Sequence, residues 1–269
     1  MKSFTYILMG LMVALASTAC EKVIDVDLEE TDRVIVIEAA LSEGTQDFQV
    51  NISKTTNYFG ASEDLFVPDA TVVLADDEGT TWPIDHVGEG VYVAPVTAMA
   101  GRTYTLTVEA EGETYTAISR LLQPVTLDSL TIEFQEPIGA FEGGYLVFLN
   151  YQDPAGVSNF YRALHERNGE LQTGPDFLQL WDDGIVDGTE TRLPLFNQFF
   201  EVGDTVMVEM RHLDEPVYDY YETLSAIIGT GGGGGSGVAA PANPNTNWTG
   251  NAQGHFSTYS SSYQTMIVE

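Results

Sequence analysis

Residues 101–119 read GRTYTLTVEAEGETYTAIS, and their alternation decides the fold class. Tyr104, Leu106 and Val108 share one face of an extended chain, the period of two that marks a half-buried strand. Glu111-Gly112 stands where that strand must reverse, because the favoured two-residue hairpin turns need backbone angles that glycine adopts freely. One hairpin therefore spans most of the stretch.

The same grammar extends upstream. Residues 70–84, ATVVLADDEGTTWPI, read as strand, turn, strand, with Asp76 to Gly79 as the reversal. In DFQVNIS (47–53), Phe48, Val50 and Ile52 alternate with Gln49, Asn51 and Ser53. DRVIVIEAAL (32–41) is a β-branched run suited to a buried strand. Regular short strands with such turns imply an immunoglobulin-like antiparallel β-sandwich over residues 32–123.

Pro124 in LLQPVTLDSL stops the last of these strands, and a second unit is expected over 124–269. LDSLTIEFQE, GGYLVFLNYQD, NFYRALHERNGELQ and GDTVMVEMRHL supply its strands, DPAG (153–156) and Asn168-Gly169 its turns. One helix interrupts the pattern near 215–228. Asp214 caps it, Pro216 suits its first turn and Gly229 ends it, while Val217, Tyr220, Tyr221, Leu224, Ile227 and Ile228 recur at helical spacing. The glycine run at 231–235 makes 229–247 a flexible connection, after which GHFSTYSSSYQTMIV returns as the last strand. The fold class expected is mainly β: a sandwich followed by a second sandwich-like domain with one helix.

The first 19 residues carry one cation, an apolar run from Tyr6 to about Leu15 and small residues Ala16 to Ala19, the layout of a secretory signal. The run is shorter than the roughly 18–20 residues that span a bilayer. It ends at Cys20, the single cysteine of the 269-residue chain, which resembles the lipidated cysteine of bacterial lipoproteins; Ser17 stands three places before it and Leu15 is the nearest leucine. Lipid on Cys20 explains both where the cysteine lies and why it has no partner. The alternative is an ordinary signal cut near Ala19 that leaves a free thiol. Residues 20–31 then form a tether.

Forty acidic residues against ten basic ones give a formal charge of −30. Phosphate binding draws on Lys and Arg, so a nucleic-acid partner is excluded. With 43% apolar and 11% aromatic residues the chain folds, and its spread acidic charge keeps an exported protein soluble.

Catalytic equipment is sparse. His86, His165, His212 and His255 are far apart and in no zinc spacing. Ser236 lacks the glycine two places on that a nucleophile elbow requires. With Cys20 lipidated no thiol remains, so neither enzyme activity nor a cofactor is expected. WDDGIVDGTE brings Asp182, Asp183, Asp187 and Glu190 close in sequence, an oxygen-rich loop of the kind calcium favours. Its spacing is not that of a calcium hand, and paired aspartates before glycine are ordinary turn chemistry, so no metal is assigned there. Trp181, Tyr218, Tyr220, Tyr221, Trp248, Phe256, Tyr259 and Tyr263 are expected in cores, and would stack on sugars if exposed together.

VIVIEAALSEG, VPDATVVLADDEG and GVYVAPVTAMAGRTYTLTVEAEGETYTA, followed by YQDPAGVSNFYR, WDDGIVDG, EVGDTVMVEMRHLDEPVYDYYETL and APANPNTNWTGNAQGHFSTYS, are similar in content and order to the bacterial lipoproteins called domain of unknown function 4249. The resemblance covers essentially the whole chain after Cys20. It implies a lipid-anchored protein of the outer membrane, at the cell surface, that partners a TonB-dependent receptor in nutrient capture or uptake. It carries over no catalytic or ligand-binding residue. A surface glycan-binding or adhesive module is the alternative function.

Overall fold

The structure, a computed structural model, describes residues 33–56, 65–137, 143–196, 198–229 and 243–269. Cys20, the signal, the tether and residues 230–242 of the glycine-rich connection lie outside the described residues.

The hairpin within residues 101–120 is β6 (Thr103–Ala110) and β7 (Glu113–Arg120). Glu111 and Gly112 both take positive φ, 55° and 85°, so the turn matches the right-handed twist of its strands. Tyr104, Leu106 and Val108 are buried, as the alternation requires. β6 also pairs with β3 (Thr71–Asp76), which pairs with β4 (Thr81–Gly88). The turn between them is held by the Asp76 carboxylate, which accepts the Glu78 and Thr80 amides at 3.1 and 2.7 Å.

β4 links the two layers. Thr81 to Ile84 face β3, whereas Asp85 to Gly88 face β5 (Val91–Ala98) across a register shift. β5 then pairs with β2 (Gly44–Lys54), and β2 with β1 (Ile35–Ser42). β1 does not bury both faces as its β-branched run suggested. Ile35, Ile37, Ala39 and Leu41 point into the core while Glu38 and Ala40 are exposed, because β1 belongs to one layer of a sandwich rather than to the middle of a three-layer fold.

The second half adds β8 (Leu127–Gln135), β9 (Gly144–Gln152), β10 (Phe160–Arg167), β11 (Glu170–Leu171), β12 (Gln179–Asp182), β13 (Glu190–Pro194) and β14 (Thr205–Leu213), then α1 (Glu215–Gly229) and β15 (Phe256–Ile267). β13, β9 and β8 form a three-stranded sheet, and β10, β14 and β15 lie opposite it around a second core. β15 does more than close that layer. It pairs antiparallel with β14 and parallel with β1, Ala39 opposite Phe256 and Ser42 opposite Tyr259, so one sheet of twelve strands runs through both halves.

Core membership changes between Leu121 and Val125, yet residues 33–269 pack as one compact unit. The reason lies before β15. Trp248, Ala252 and Phe256 are buried in the first core, although more than 120 residues separate them from Leu121. The Trp248 indole donates to the Ile37 carbonyl at 3.0 Å. Asn247 accepts the Phe256 amide at 3.0 Å and donates to the Phe256 carbonyl at 2.7 Å, standing in for a strand neighbour. The Asn-Pro-Asn and Gly-aromatic segment thus fixes a turn and seats the closing strand.

α1 follows Asp214, whose carbonyl accepts the Tyr218 amide at 3.0 Å. Its buried residues are Val217, Tyr218 and Tyr220, while Leu224, Ile227 and Ile228 are only half-buried. Tyr218, outside the expected apolar stripe, is buried because its ring meets Phe160 of β10 at 5.0 Å.

Candidate functional site

Two loops meet at one end of the second core. Residues 153–159 connect β9 to β10, and residues 183–189 connect β12 to β13. Each reaches across to the other through a carboxylate. Asp153 accepts the Gly188 amide at 3.1 Å, Asp187 accepts the Gly156 amide at 2.7 Å, and Asp183 accepts the Asn159 amide and side-chain amide at 2.9 and 3.1 Å. Gly188 has φ of +70°, and a Cβ there would lie 2.6 Å from Ala155, so only glycine lets the loops come this close.

This exchange gathers three carboxylates. One oxygen each of Asp153, Asp183 and Asp187 lies within 4.8 Å of the other two. Asp153 and Asp183 are 1% and 6% exposed, and Asp187 is exposed. Of the four acidic residues singled out in the sequence, Asp183 and Asp187 join the group, but Asp182 and Glu190 do not. Asp182 turns to the Gly184 amide at 2.7 Å, and Glu190 opens β13 opposite Gln152. Asp153, 30 positions before Asp183, was legible only as the start of a turn.

A stack of rings runs from this cluster into the core. Trp181, Tyr161 and His212 occupy neighbouring positions on β12, β10 and β14, with centroids 5.5 and 5.3 Å apart and planes within 25°. The Tyr161 hydroxyl donates to Asp153 at 2.6 Å, and burial together with that carboxylate pushes its phenol far above the ordinary range. The Trp181 indole donates to the Tyr151 hydroxyl at 2.7 Å. His212 donates through Nδ1 to the Gln123 carbonyl at 2.8 Å, and burial holds its ring below the usual histidine range.

Beside the cluster a cleft of about 380 Å³ opens where the two halves adjoin. Pro154, Val157 and Asn159 of the first loop form one wall, Gln123 and Val125 of the connecting segment another, and Arg120 and His212 also line it. The acidic cluster therefore braces one wall of a pocket of ligand size.

The remaining histidines stand apart from this site. His86 is exposed beside Tyr92, His165 meets Gln198 at 2.6 Å, and His255 meets the Tyr221 hydroxyl at 3.0 Å. Among the aromatics, Tyr218, Tyr220, Trp248 and Phe256 are buried, Trp181, Tyr221 and Tyr259 half-buried, and Tyr263 exposed. Core packing accounts for most of them.

Residues 21–265 match the model of a family described as a domain of unknown function, DUF4249, and the chain belongs to that family. No curated protein matches it. Among solved structures, the two fibronectin type-III domain segment from chicken tenascin is similar over 67% of this chain and 91% of that one, at 14% identity and a TM-score of 0.23.

Proposed function

We propose that the protein is a non-catalytic lipoprotein of the cell envelope, anchored in the outer membrane by lipid on Cys20, that serves as the accessory partner of a TonB-dependent receptor in capturing or admitting a nutrient. The observation that carries a binding role is the cleft at the junction of the two halves, whose wall is braced by reciprocal carboxylate staples rather than by a nucleophile paired with a base. A rigid pocket formed from both halves of one continuous sheet suits capture and hand-over of a small ligand.

Mild solubilisation of membranes and capture of the full-length protein tests this reading. A receptor-like barrel protein is expected to co-purify, and Cys20→Ser is expected to move the protein to the soluble fraction. Recovery without any barrel protein overturns the receptor partnership, and retention on a polysaccharide panel in its place points to the adhesive alternative.

A further inference from the structure

We propose that Arg162 and Arg211, side by side on the outer face of β10 and β14, form with Tyr221 of α1 a binding site for an oxyanion, the carboxylate or phosphate of a small ligand. The site lies on the opposite face of these strands from Tyr161 and His212, and it does not rest on the receptor partnership.

Strand alternation places the pair. Tyr161, Ala163, Met210 and His212 are buried on the inner face, which turns Arg162 and Arg211 outward. The two arginines stand directly opposite each other across the strand pair, where like charges repel. Each guanidinium lies on a tyrosine: Cζ of Arg162 is 4.2 Å from the centre of the Tyr221 ring, and Cζ of Arg211 is 4.1 Å from that of Tyr259. Stacking holds both planes in place, so little order is lost when an anion arrives.

Only one of the two charges is answered from within the protein. Glu209 accepts Nε and Nη2 of Arg211 at 2.8 and 2.9 Å, and it also accepts the Ser261 and Tyr263 hydroxyls at 2.6 and 3.1 Å. That carboxylate is committed to Arg211. Arg162 has no ion pair among the described residues, and its Nε is buried with nothing to donate to. The residue is half-buried, so one end of the guanidinium is desolvated while the other stays open.

The contrast with the other cations is informative. Lys54, Arg102, Arg167, Arg192 and Arg211 each meet a carboxylate. Arg120 meets none, but it is exposed and water solvates it. With forty acidic residues against ten basic ones, a carboxylate is the easiest neighbour for this chain to supply. Leaving a partly desolvated arginine without one, beside a second arginine, is costly, and an oxyanion from outside removes that cost. The planar N–H fork of arginine fits carboxylate and phosphate alike, whereas a neutral ligand would leave the charge unanswered.

His255 supplies the readout. Its Nε2 meets the Tyr221 hydroxyl at 3.0 Å, and burial, then the charge of Arg162, holds the ring down to about 4. An oxyanion on Arg162 cancels part of that field. Histidine-labelled full-length protein, which has four histidines, is therefore expected to show His255 ring resonances that move saturably and a His255 pKa that rises. The His255→Gln variant identifies the signal. Inorganic phosphate and galacturonate, titrated at constant ionic strength, are the probes. Saturation by either supports the site, and the tighter of the two tells a phosphate-bearing from a carboxylate-bearing ligand. Arg162→Gln is expected to weaken binding about tenfold or more, because the charge-assisted pair is lost. Arg120→Gln is expected to bind as the parent does. A parent protein with no saturable response to either probe, or with one that sodium chloride reproduces, overturns the proposal whatever the variants do. Equal affinity in a folded Arg162→Gln variant also overturns it.

Discussion

Replacing Trp248 with alanine tests whether the segment before the last strand is part of the first core or merely lies against it. The indole is 5% exposed and surrounded by the first core, so truncation to alanine costs about 3–5 kcal/mol in lost burial and cavity. It also removes the donor that the buried Ile37 carbonyl uses at 3.0 Å, a further penalty of about 1–3 kcal/mol that partly overlaps the first. The expected total is about 4–6 kcal/mol, against a typical stability of about 5–15 kcal/mol for a whole domain. Trp248→Phe retains most of the volume and should cost only the hydrogen-bond part, about 1–3 kcal/mol. Urea denaturation read by fluorescence suits the measurement because Trp82 packs on the first core and Trp181 on the second. A loss below about 1 kcal/mol for Trp248→Ala would refute the reasoning, since a residue with that burial and that bond cannot be removed so cheaply from a core it helps to build.

Two further outcomes follow from the same packing. A fragment of residues 33–122 is expected to show no cooperative urea transition, because it lacks Trp248, Ala252, Phe256 and the strand that flanks β1; joining residues 243–269 to it should restore one, and a sharp transition in the bare fragment would show that the first half is self-sufficient. His255 is pushed down to about 4, first by burial and then by the nearby Arg162, from an ordinary value of 6.5. Its folded form resists protonation, so its contribution is complete above pH 6.5 and lost as pH falls towards 4, about 3 kcal/mol at roughly 1.36 kcal/mol per unit. Denaturation between pH 7 and pH 4 should therefore be flatter for His255→Gln than for the parent, and parallel curves would contradict the assignment.

Much of the fold can be read from local pattern, since hairpins and the helix answer to local rules. Glu111-Gly112 and Asn168-Gly169 both turn with positive φ at each residue, and α1 starts after Asp214 as its capping residue and proline imply. What could not be read is which strand lies beside which. Alternation records that one face of β1 is buried, but says nothing of a parallel neighbour more than 200 residues away. Hydropathy reveals β15 as a strand but hides how deeply it is buried, since Ser257, Thr258 and Ser260 lie in the interior despite their polarity. Thr258 is tolerated there because its hydroxyl and amide both bond the Ser119 hydroxyl at 2.9 Å, a match that only the assembled sheet supplies. The site follows the same division. Asp183 and Asp187 sit in a short run that looks oxygen-rich, whereas Asp153 enters through loop geometry that no spacing encodes.

The place of β15 between β14 and β1 also bears on when the protein can finish folding. Chains leave the ribosome from the amino terminus, yet the strand that joins the two halves of the large sheet follows β1 by more than 200 residues. Until then β1 offers an unpaired edge and the first core waits for its tryptophan. Pairing across such a separation is slow, because the intervening chain must be ordered before the contact is rewarded. The amino-terminal half therefore remains unfinished until β15 is made, and deletion of residues 243–269 would leave two incomplete halves with no strand to join them.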